Sequence, residues 1–180
     1  MPIASKGKLI LLSLILVFSI YFSVFFHELG HYIAGLQLNC KSDISVELNP
    51  INSSGGCDQE SWNFLGSGQK AHIAIFGPIF TLVLGAFSFL FLIIKKKLDY
   101  KIFYILLCLT IINFWVLFYN SAHTIIYSGL NWNNSDFDIV SAGYQINQIF
   151  FLIPTAVFLL ILMLLISKFY KKLKFELLGL

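Results

Sequence analysis

The chain has 180 residues, of which 58% are hydrophobic and 12% charged, and its formal net charge is +3. A soluble domain carries about 25% charged residues to cover its surface, so this composition excludes a soluble globular domain, a disordered chain, a disulfide-stapled secreted module and a nucleic-acid binder. It describes an integral membrane protein, expected to be all-α and to form one membrane-embedded domain over residues 1–180.

Crossing the ~30 Å hydrocarbon core takes about 20 apolar residues in a helix, and four stretches qualify. The first runs from Leu9 to about Leu36. Lys6 and Lys8 precede it as they would a signal peptide. The apolar run, however, outlasts the roughly 7–15 residues of a signal core and shows no convincing small-residue cleavage site, which predicts a retained helix. The others are Ala71–Ile94, Ile102 to about Tyr119, and Ile146–Ile166, giving about four transmembrane helices. Between the first two lies a polar loop, 37–70, broken by Asn49-Pro50, Ser54-Gly55-Gly56 and Gly66-Ser67-Gly68. Its alternating Ile44–Leu48 segment suggests a short strand or hairpin. Cys40 and Cys57 share that loop and are either bridged or free thiols, whereas Cys108 lies within the third span as a small apolar residue.

All twelve basic residues are lysines, and ten of them flank the spans on one side: 6 and 8, 95–97 and 101, and 168, 171, 172 and 174. Lys41 and Lys70 alone fall in the long first loop, and 120–145 has none. The positive-inside rule then puts both termini in the cytoplasm and both long loops outside. The lysine-rich C-terminus reads as an anchor for the last span at an anionic leaflet.

The first span contains His27-Glu28-Leu29-Gly30-His31. Residues i and i+4 share a helix face, so the two histidines can hold one metal ion, with Glu28 beside them to take a proton from a water at the metal. This is the HExxH arrangement of zinc hydrolases. Ionisable groups at membrane depth cost at least ~2.5–3.5 kcal/mol on insertion scales and are functional by default. The competing reading is that the three residues merely hydrogen-bond neighbouring helices.

A catalytic zinc usually takes a third protein ligand. The metzincin histidine is absent after His31, and the downstream glutamates Glu47, Glu60 and Glu176 lie in the first loop or the tail. That leaves Asp136 and Asp138, just before the fourth span. The first and third spans both run outward, so these aspartates return to the end of the bundle that carries the histidine pair. Either aspartate can instead cap the helix that follows, a role that suits Asp138 better. His123 is a further candidate as proton donor or substitute ligand, and His72 reads as an interfacial histidine. Gly77 and Gly85 suggest close helix packing, and Pro78 a kink in the second span.

These motifs resemble the M50 family of intramembrane metalloproteases, the site-2 protease clan, in its short M50B-like form. His27–His31 followed by Tyr32-Ile33-Ala34-Gly35 is similar to the family's HELGH helix, and Ile75-Phe76-Gly77-Pro78 resembles its AGP segment. Asn120 with the later Ser135-Asp136 resembles its NLIP…SDG stretch, although Phe137 stands where the family has Gly and Ser121-Ala122-His123 replaces Leu-Ile-Pro. No PDZ or CBS module is attached, and many relatives place their zinc toward the cytosol rather than outward. The resemblance implies Zn2+ held by His27, His31 and Asp136, Glu28 as catalytic base, and Asn120 beside a bound carbonyl. It also implies endopeptidase action on membrane-embedded or membrane-proximal peptides, with the lipid bilayer and the substrate as partners and no nucleic acid. The expected location is a bacterial cell (inner) membrane. The alternative is a non-proteolytic metal-binding membrane protein of the same fold, transport-related or immunity-type.

Overall fold

The computed structural model describes residues 6–48, 54–95, 98–127, 135–147, 149–150, 153, 156–157, 159–164, 167 and 169. Three long helices dominate: α1 (Lys6–Gln37), α3 (Ser67–Ile94) and α4 (Tyr100–Tyr127). Each is an apolar run long enough to cross a bilayer, and side chains such as Leu14, Phe18, Val83 and Phe87 are exposed on the outside of the bundle. In water such a surface would be a severe liability, whereas in lipid it is the solvent-matched face. The protein is a mostly helical membrane protein with three such helices among the described residues. Eight of the 21 residues of the predicted fourth span, 146–166, lie outside them; its Leu162 packs with Phe114, Leu117 and Phe137.

α1 ends where Asn39 takes a left-handed φ of 58°, while the Leu38 and Cys40 amides donate back to the Gly35 carbonyl. Asparagine tolerates that conformation better than most residues. The chain then forms β1 (Ser42–Ser45) and β2 (Ser54–Cys57), which pair antiparallel with Ser42 opposite Cys57 and Ser45 opposite Ser54. The expected hairpin is present, but its first strand starts two residues before the alternating segment. Cys40 and Cys57 are bridged, with Cα atoms 5.3 Å apart. A short helix, α2 (Gln59–Phe64), follows, with Asp58 accepting from the Ser61 amide as its cap.

α3 is the central element, packed against α1, α4 and α5 (Asp136–Tyr144). Its lower half closes an apolar core of Ile15, Leu92, Phe103, Tyr104 and Leu107. At the other end, Ala34, Cys40 and Ile73 bury the junction of α1, α3 and the hairpin. Inside the bundle, the Asn113 amide donates to Ser23 Oγ at 3.0 Å, tying α4 to α1. Such hydrogen bonds between membrane helices average about 0.6 kcal/mol.

Two boundaries differ from the sequence reading. α4 runs to Tyr127 instead of stopping near Tyr119, because Ser121 does not break the helix: it is fully buried and its hydroxyl donates to the Leu117 carbonyl one turn back. Residues 136–144, read as loop, form α5. Ser135 caps it, accepting from the Asp138 amide, while the Asp138 carboxylate accepts from the Ser135 amide at 3.1 Å. This reciprocal box pairs the Ser135 amide and adds to the bond that the Asp138 amide makes to the Ser135 carbonyl.

Candidate metal centre

His27 and His31 project from one face of α1 toward the start of α5, and Asp136, the first residue of α5, meets them. The His27 Nε2 lies 2.9 Å from Asp136 Oδ2 and the His31 Nε2 lies 3.4 Å from Oδ1. The two Nε2 atoms are 3.1 Å apart. The three side chains form a group able to hold one metal ion, their ligand atoms all within 4.8 Å of one another.

The hydrogen bonds around the imidazoles decide which atoms carry protons. His31 Nδ1 lies 2.8 Å from the Ile73 carbonyl, which only accepts, so that nitrogen must be the donor. Thr81 donates its hydroxyl proton to the Gly77 carbonyl at 3.0 Å. With its one proton on that carbonyl, the oxygen accepts from His27 Nδ1, 2.8 Å away. In the neutral rings each Nε2 then turns a lone pair toward the other and toward a carboxylate. Three acceptors converging at this range repel one another unless a cation, a proton or a metal ion, stands among them. Outward-facing Nδ1–H groups held by a carbonyl or hydroxyl are also the usual support of metal-binding histidines.

Asp136 is held where its carboxylate faces both imidazoles. Its direction is set by the capping box of α5, since Ser135 and Asp138 fix the first turn. Asp138 itself turns its Oδ2 to the Ser135 hydroxyl at 2.7 Å and takes no part in the metal-binding group. The structure thus separates the two aspartates, one beside the histidines and one within the cap.

α3 supplies the floor. A Cβ placed on Gly77 would lie 2.3 Å from His31 Nε2 and 2.8 Å from His27 Nε2. Glycine here is a steric requirement of the site, beyond the helix packing suggested by the sequence; Gly85, against Asn113 and Phe114, does serve packing. Across the site, β2 lies against α1 so closely that a Cβ on Gly55 would come within 2.4 Å of the Glu28 carbonyl oxygen. The Cys40–Cys57 bridge ties this strand to the end of α1.

Two cavities meet at Glu28. One of about 430 Å³ is bounded by Ser54 and Gly55 of β2, Trp62, Asn120 and the three candidate ligands. The other, of about 520 Å³, is apolar and runs between α1 and α4, past Val24, Ile112, Trp115 and Val116. His27, Glu28 and Asn120 border both. His27 is nineteen residues beyond Lys8 on α1, or about 29 Å along the axis at 1.5 Å per residue. The site therefore lies toward the end of the bundle opposite the α1 N-terminus.

Of the other histidines, His72 contacts Gln37 and the Phe76 ring. His123 stands on α4 beside Tyr119, and neither enters the metal-binding group. Sequence reasoning missed Thr81 and the Ile73 carbonyl as supports of the ligands. The only available signal for Thr81 was its position one turn beyond Gly77 on the same helix face. Compared with models of known protein families, with curated proteins and with solved structures, the chain finds no match.

Proposed function

We propose that this protein is a zinc-dependent intramembrane endopeptidase, with His27, His31 and Asp136 as metal ligands and Glu28 as general base. The observation that carries the reading is the convergence of two imidazole Nε2 atoms and a carboxylate, 2.9–3.4 Å apart, next to a glutamate that borders both cavities. Two nitrogens and one oxygen form a donor set suited to zinc with a coordination position left open. The M50 resemblance of the His27–His31 helix supports the same assignment.

When bound there, zinc lowers the pKa of a water toward 7 and polarises a carbonyl. Glu28 takes the proton of the attacking water and returns it to the leaving amine. Asn120, on the rim of both cavities, donates its side-chain amide to the carbonyl oxygen of the scissile bond. The substrate is a membrane-embedded or membrane-proximal peptide. It has to unwind locally, because a helix keeps its own carbonyls engaged, and the polar cavity beside β2 accommodates an extended segment.

The lysine distribution supports an orientation with both termini cytoplasmic and the site toward the outer face of a bacterial cell membrane, with residues 146–166 as a fourth span. The Cys40–Cys57 bridge agrees with that orientation, since disulfides persist in oxidising compartments. The test is cleavage of a co-reconstituted transmembrane peptide library in liposomes, with and without a chelator. Chelator-sensitive cleavage that returns on adding zinc is expected. Metal binding without any cleavage would leave a metal-binding membrane protein instead.

A further inference from the structure

We infer that Thr81 is a positioning residue for the metal centre, holding His27 in the one tautomer and orientation that presents Nε2 to a cation. The inference rests on the metal reading above and extends it to a residue that no motif marks.

Thr81 is 1% exposed. With its single proton on the Gly77 carbonyl, 3.0 Å away, the oxygen lone pairs face His27 Nδ1 at 2.8 Å. The hydroxyl therefore acts as an acceptor toward the ring, and the ring must donate. Proton and lone pair are assigned in sequence, from Gly77 carbonyl to Thr81 to His27, and the last lone pair in that sequence is Nε2.

The support is anchored at a special place. Gly77, whose carbonyl receives the Thr81 proton, is also the residue whose missing side chain makes room for both imidazoles. One turn of α3 thus clears space for the ligands and orients one of them. His31 is held independently, by the Ile73 carbonyl, four residues before Gly77. A backbone carbonyl cannot be removed by substitution, whereas a hydroxyl can, so Thr81 is the part of the support open to a direct test. Valine keeps the branched shape and loses the acceptor; serine keeps the acceptor.

The experiment uses the full-length protein in detergent and reads Co2+ and Zn2+ affinity by visible absorption and competition, without reference to proteolysis. Loss of an outer hydrogen-bonding partner of a metal-binding histidine typically costs 10–100-fold in affinity. Thr81→Val is expected to weaken Co2+ binding by about that factor with little change in melting temperature, and Thr81→Ser to stay near wild type. If Thr81→Val does not fold, the same comparison is made between Thr81→Ala and Thr81→Ser. Equal affinity in wild type and the acceptor-free variant, or an equal loss in Thr81→Ser, would overturn the positioning role. Wild-type protein that binds neither ion would overturn the metal reading itself, and this inference with it.

Discussion

Gly77 and His31 stand so close that a single added methyl on the glycine would lie 2.3 Å from the imidazole Nε2. No real Cβ tolerates that approach, so the ring or the helix would have to move. Gly77→Ala is therefore predicted to abolish metal binding. Gly85→Ala, where the nearest atom is Asn113 Cβ at 3.1 Å, should keep the metal and lose at most ~1–3 kcal/mol of stability through overpacking. Equilibrium dialysis with zinc and a thermal melt of both variants check this. Equal metal loss in the two would mean that helix packing, not the site, explains the glycine.

Glu28 makes a separable prediction. Glu28→Gln removes the proton acceptor but leaves both histidines and Asp136 in place. Metal content should stay near wild type while cleavage falls by about 10²–10⁴-fold, the usual scale of general base catalysis. Single-turnover assays on a reconstituted peptide measure it, and normal turnover would remove Glu28 from the base role.

The two aspartates should part company. Asp136 faces both imidazoles, so Asp136→Ala is expected to lose metal and activity. Asp138→Ala breaks one half of a capping box, which costs roughly 1 kcal/mol, and should keep much of both. Zinc content and melting temperature of the two variants distinguish the roles. Metal loss with Asp138→Ala alone would exchange the assignments.

The Cys40–Cys57 bridge closes a 17-residue separation in sequence, and a loop of that size is worth roughly 3 kcal/mol. Replacing both cysteines by serine should lower the melting temperature and weaken metal binding less than Asp136→Ala does, because β2 borders the cavity without supplying a ligand. Orientation can be followed in the same protein. A cysteine introduced at Ser54 should react with an impermeant thiol reagent on intact cells, and one at Lys95 only after the membrane is opened. The reverse pattern would invert the topology.

Much of this site is legible in the sequence because its strongest signal is local. The His27/His31 spacing needs nothing but helix periodicity, and ionisable groups inside an apolar run announce themselves by their cost. Asp136 is harder. It is 105 residues from His31 in the chain, and only topology, with two spans running the same way, brings it to the right end of the bundle. The sequence reading already gave the cap to Asp138, and the Ser135 box at the start of α5 bears that out; that α5 is a helix of its own was not foreseen. The extent of α4 was misread because Asn120, Ser121 and His123 resemble a loop. In a membrane helix such residues face the interior, and the backbone ladder continues through them. Thr81 and the Ile73 carbonyl were invisible for a different reason: hydrogen bonds between helices depend on rotation about the helix axes, and hydropathy says nothing about that rotation.

The central claim is that His27, His31 and Asp136 hold a metal ion. Zinc stoichiometry of purified, detergent-solubilised protein tests it most directly, measured for wild type, His31→Ala and Asp136→Ala after identical handling. The account predicts about one zinc per chain in wild type, as in a single three-ligand site, and almost none in either variant. Zinc-free wild type, or zinc retained in both variants, would contradict it.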